Sequence, residues 1–104
     1  MKDNREYVIP TVKKRIRKID PYAKIVLFGS RARNEASSGS DWDFLVLTQL
    51  NVDRELKNKI SDELFDTEME VGEVLTSFVH NITKWETYNI TPLYENIQKD
   101  GIVI

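Results

Sequence analysis

The chain has 104 residues, 40% of them hydrophobic and 31% charged, a balance that predicts a folded domain and excludes a disordered tail. Its net charge of −2 gives no overall pull toward nucleic acid or an anionic membrane, and the absence of cysteine excludes disulfide and thiolate chemistry. No apolar run approaches the roughly 20 residues that span a bilayer, and the charged N-terminus lacks the apolar core of a signal peptide. The expectation is one domain over residues 1–104, working in the cytoplasm.

In chain order, Val8, Ile9, Val12, Ile16 and Ile19 recur at helical spacing and predict a helix over residues 3–19. Pro10 suits it only if the helix begins shortly before, and Asp20-Pro21 ends it. Basic residues cluster on this segment as Lys13-Lys14-Arg15 with Arg17-Lys18, which reads as a solvated face. Lys24 to Phe28 is a short apolar run, read as a buried strand. Gly29 and Ser30 break it, Arg31 to Ala36 predict a short helix, and Ser37 to Ser40 a loop. Trp42 to Leu47 is the second strand. The stretch between Gly29 and Asp41 is scant for a parallel crossover, which needs about a dozen residues or more, so the two strands should run antiparallel.

Asn51 or Asp53 can cap a helix running to about Met69, with Leu56, Ile60, Leu64 and Phe65 on one face. Glu73 to Val79 reads as a third strand, bordered by His80, which alone makes a zinc site implausible. Thr83-Lys84-Trp85-Glu86 has the spacing of a capping box, and Thr91-Pro92 starts a last helix that Gly101 ends. Ile102 to Ile104 could add an edge strand. Trp85, Tyr88, Tyr94 and Ile97 either pack these last helices on the sheet or form a docking face. The fold class is α/β (α+β): a small mixed β-sheet with helices packed on it.

The chemistry lies in Leu27-Phe28-Gly29-Ser30-Arg31-Ala32-Arg33 and Ser40-Asp41-Trp42-Asp43. Asp41 and Asp43, two apart on a strand, share a face with alpha carbons roughly 6.6–6.8 Å apart. Carboxylates so placed repel unless a cation lies between them, and an open acid pair suits Mg²⁺, which also takes phosphate oxygens and water. Gly29 lets the backbone approach a ligand closely. Ser30 offers a hydroxyl, following amides can face an anion, and Arg31 and Arg33 can bind phosphate. Together these predict a triphosphate held at the turn, with metal on the acids.

The pattern of Gly29-Ser30, a loop, then Ser40-Asp41-Trp42-Asp43 resembles the signature of the DNA polymerase β-like nucleotidyltransferase superfamily. It is most similar to the minimal nucleotidyltransferases, antitoxin-like partners of HEPN-domain proteins. The likeness is specific over residues 25–47. It departs at Asn34, where that family usually has glycine, though Asn tolerates left-handed dihedrals next best. The resemblance implies transfer of a nucleoside monophosphate, AMP from ATP, to a hydroxyl on a HEPN-type toxin, with Mg²⁺ (or Mn²⁺) in a two-metal site. Gly29, Ser30, Arg31, Arg33 and Ser40 would hold the nucleotide. The alternative is a catalytically degenerate module that neutralises its partner by contact. Either a HEPN-type helical protein or a second copy of the chain would complete the site.

Such sites carry a third acid on a neighbouring strand. Glu68, Glu70 and Glu73 are the candidates. Asp41, Asp43, Leu45 and Leu47 pass from acid to apolar along one face, and the row Val71, Glu73, Leu75 does the same. This favours Glu73, with Asp41 and Asp43, as the catalytic and metal-binding set, and leaves Glu70 as the alternative. The family normally has Asp there.

Overall fold

Val8, Val12 and Ile16 recur one turn apart and are fully buried, which fixes the inner face of helix α1, Arg5–Arg17. A computed structural model describes residues 4–36 and 39–104. Pro10 lies well inside α1, against the expectation that the helix begins close before it. The proline is exposed and costs one backbone donor, while the packing of Val8 holds the turn before it in place.

Strand β1, Lys24–Phe28, runs antiparallel to β2, Trp42–Thr48, as the short connection requires. The expected helix at residues 31–36 is instead a hydrogen-bonded turn. The Gly29 carbonyl accepts from the Ala32 and Arg33 amides at 3.0 and 3.1 Å, and the Ser30 carbonyl from Glu35 at 3.0 Å. Asn34 in this turn has φ of 58°, the left-handed value for which asparagine substitutes for glycine. The Ser37-Ser38 part of the expected loop, and residue 3 of the expected first helix, lie outside the described residues.

Asp53 caps α2, Arg54–Val71, by accepting from the Leu56 amide at 2.8 Å, and Gly72 ends it at φ of 71°. Leu56, Ile60, Leu64, Thr67 and Val71 are buried, whereas Phe65, expected on that face, is 61% exposed. Successive helical residues lie about 100° apart, so Leu64 excludes Phe65 from the seam. Strand β3, Leu75–Asn81, begins two residues later than expected and runs parallel to β2.

Thr83 donates both its amide and its hydroxyl to the Asn81 carboxamide, so the expected capping box is replaced by a 3-10 helix, Trp85–Tyr88. Thr91 caps α3, Pro92–Asp100, as the sequence predicts, and the edge strand β4, Ile102–Val103, pairs with β1. The sheet order is β3-β2-β1-β4.

Alternation divides the sheet into two faces. Ile25, Leu27, Trp42, Phe44, Val46, Leu75 and Val79 pack under α1 and α2. Val26, Phe28, Leu45 and Leu47 pack against Trp85 and Ile97. The aromatic residues of the last segments therefore serve core packing more than docking. Asp43 belongs to the second face, at the end its covering helices leave open. Among the described residues no helix is long and apolar enough to cross a membrane.

The far end of β2 is fastened by Asp20, which is 5% exposed and accepts from the Thr48 hydroxyl at 2.6 Å and the Tyr22 amide at 3.0 Å. Thr48→Val deprives a buried carboxylate of a donor. It should cost about 1–3 kcal/mol, read as a lower denaturant midpoint at unchanged slope.

Candidate active site

The register of β1 on β2 sets Phe28 opposite Asp43, so the chain leaves β1 into the Gly29-Ser30 turn where β2 presents its acids. Gly29 has φ of 78°, and a Cβ there would lie 2.6 Å from Asp43 Oδ2. Glycine is required twice over, for the backbone angle and to admit the carboxylate. Asp43 is half-buried and Asp41 exposed. Burial first, and then the charge of Asp41, push the Asp43 carboxyl above its ordinary pKa. Among the described residues neither acid is in an ion pair. The pair is a concentration of negative charge without internal compensation, and it fits a divalent cation.

Ser30 is half-buried, and among the described residues nothing engages its hydroxyl. Arg31 takes a different place from the one its sequence position suggests. Its guanidinium donates to the Ser40 carbonyl through Nε at 3.3 Å and Nη2 at 2.9 Å, and lies 4.6 Å from the Trp42 ring centroid. The residue is 3% exposed. Arg5, which the sequence gave no reason to select, donates to the Arg31 carbonyl at 2.8 Å and lies 6.0 Å from the same ring. Arg31 thereby ties the turn after β1 to the residue just before the acid pair. Arg33 pairs with Glu35 at 3.1 Å and with Asp100 of α3 at 3.0 Å, so its charge is shared with two carboxylates. Ser40 is half-buried, its carbonyl committed to Arg31.

The three candidates for a third acid are distributed elsewhere. Glu68 accepts from the Leu75 amide at 2.9 Å. Glu70 is held by Arg15 and by the Tyr7 hydroxyl at 3.1 Å, both on α1; those bonds lower its carboxyl pKa, the Arg15 bond most. Glu73 is half-buried in the turn before β3. Its row continues into Leu75, which pairs with Trp42, whereas Asp43 pairs with Thr76. The neighbour of Asp43 on β3 is thus a threonine, followed on that face by Phe78, whose ring lies 5.5 Å from Phe28. Among the described residues no three acids or histidines are grouped to hold a metal. Thr76 was legible only once the β2–β3 register was known.

Residues 9–104 match the family described as the nucleotidyltransferase domain. No curated protein matches the chain. A solved chain from the crystal structure of a toxin-antitoxin with AMP-PNP has a similar fold, at TM-score 0.65 and 18% identity over 90% of this chain and 69% of its own.

The raised Asp43 pKa has a definite sign. A carboxyl whose folded value exceeds its unfolded value costs no stability below the unfolded value, and the cost grows as pH rises through the folded one. Asp43→Asn should therefore stabilise the metal-free protein at neutral pH. That advantage should vanish below the ordinary carboxylate range, as thermal melts across pH would show.

Proposed function

The chain belongs to the nucleotidyltransferase domain family, and from that premise we propose that it transfers a nucleoside monophosphate, AMP from ATP, to a hydroxyl on a partner protein. The observation that carries this reading is the Asp43 carboxylate lying against Gly29, at the start of the strand that also follows Asp41 and beside the turn that carries Ser30. Triphosphate and acceptor meet there: the acceptor hydroxyl gives up its proton to solvent, its oxygen bonds to the α-phosphorus, the bond from that phosphorus to the bridging oxygen of the β-phosphate breaks, and pyrophosphate leaves. Asp41 and Asp43 would hold Mg²⁺, or Mn²⁺ in its place, and the cation would supply neutralisation of charge on the triphosphate. Gly29 gives the phosphates room to approach, and Ser30 donates its hydroxyl to a phosphate oxygen. Arg31 acts at one remove, by clamping the Ser40 carbonyl so that turn and acids keep their separation.

A toxin as the partner is supported by the similar fold of a solved chain from a toxin-antitoxin with AMP-PNP; a HEPN-type helical protein is the form the sequence resemblance favours.

A second reading, a binding module that neutralises its partner by contact without turnover, is favoured by Thr76 standing where a third acid would complete the set. The readings separate cleanly. Under the first, calorimetry gives Mg²⁺-dependent ATP binding, and Asp43→Asn lowers transfer of label from α-labelled ATP to the partner by on the order of 10²–10³-fold. Neutralisation in cells is lost with it. Under the second, Asp41→Asn/Asp43→Asn neutralises fully and no label is transferred.

A further inference from the structure

The end of the sheet farthest from the acid pair is also built as a site. Where β2 and β3 finish, at the paired residues Thr48 and Asn81, a cleft of about 450 Å³ opens between the start of α2 and the turn that leads to the 3-10 helix. That volume lies within the usual range for small-molecule sites. Lys57 of α2, His80 of β3 and Lys84 of the turn line it, together with the polar side chains of Gln49 and Thr83 and the ring of Tyr88. No aspartate or glutamate among the described residues lines it. Neither lysine has an ion-pair partner among those residues. The cleft thus gathers donors and positive charge with no acceptor charge to answer them.

Its walls are held in place. Asn81 donates through Nδ2 to the Leu50 carbonyl at 3.0 Å and accepts from the Thr83 amide at 2.9 Å, and the Ile82 amide donates to the Thr48 carbonyl at 2.9 Å. The Asn81 side chain thereby joins the turn after β3 to the segment that follows β2. The His80 ring is packed 4.6 Å from Tyr88 and 5.2 Å from Trp85. Burial, and then the neighbouring charge of Lys57, push the imidazole below its ordinary pKa.

We infer that this cleft binds a small phosphate-bearing anion, with Lys57 and Lys84 supplying charge and His80, Gln49 and Thr83 supplying hydrogen bonds. Charge-assisted donors converging on a concave, acid-free surface are the chemistry that selects a multi-oxygen anion. Six residues of extended strand separate Asp43 from Gln49, about 20 Å at strand spacing. A nucleotide held at the acid pair does not fill this cleft, and the inference stands apart from the proposed transfer reaction.

The groups facing His80 are Lys57 from α2, Lys84 from the turn, and Tyr88 and Trp85 from the 3-10 helix; a bound dianion adds the only negative charge among them. His80 is the one histidine of the chain, so its imidazole resonances report the cleft alone. Followed by NMR through a pH titration, it should protonate at higher pH in inorganic phosphate than in sodium chloride of equal ionic strength. Lys57→Gln raises the value in chloride by removing a neighbouring charge, so the phosphate-dependent difference is the readout. Lys57→Gln and Lys84→Gln should each weaken phosphate binding about tenfold, and together abolish the difference. Identical titration in phosphate and chloride overturns the inference, as does a phosphate effect that survives loss of both lysines.

Discussion

The antiparallel register of β1 on β2 is the constraint on which everything else rests. Setting Phe28 opposite Asp43 brings the turn that leaves one strand to the acids that enter the next. A slip of one residue would move Asp43 to the face packed beneath α1 and bring Trp42 to the open one. The apolar rows do not prevent this by themselves, because β1 and β2 are apolar on both faces for most of their length. The ends decide it. At one end an acid is tolerable only on the open face, and at the other Thr48 must reach the buried Asp20.

The same economy governs the arginines. Arg31 is spent on architecture, lying over Trp42 and bonding the carbonyl of Ser40, while Arg5 secures the Arg31 carbonyl from α1. Trp42 is fully buried, and its indole N–H has no acceptor among the described residues. Its polar edge is the cost of an aromatic floor broad enough to carry a guanidinium. That stack binds the first helix, the turn and the acid-bearing strand together, so the geometry of the acids depends on residues that never reach a ligand.

Much of this was legible in the sequence because it depends on near neighbours. The bounds of β1, the antiparallel pairing, the Thr91 cap and the left-handed Asn34 each follow from a few adjacent residues. The contacts that were not legible share the opposite cause. Arg33 finds Asp100 across most of the chain, and Arg31 finds a backbone carbonyl beyond the turn. Their type suggested phosphate; their partners lay outside any local window. The place of a third acid was not legible for a related reason. Alternation identifies the two rows of β3 but not which row shares a face with Asp43. That is fixed by the length of α2 and its packing on the sheet, and the answer brought Thr76 to Asp43 and set the row of Glu73 against Trp42.

Thr76 has a consequence for how such a site would work. The affinity of an oxygen-lined site for a hard divalent cation rises with the number of charged ligands it offers. A pair of carboxylates, one exposed and one half-buried, offers fewer than the triads the sequence resemblance implies. In the proposed reading the missing negative charge comes from the triphosphate itself. Metal and nucleotide would then bind as a unit, each supplying what the other lacks, because Thr76, paired with Asp43, carries no charge. The burial that makes Asp43 hard to ionise alone also lowers the local dielectric, which strengthens its attraction to a cation once one is delivered.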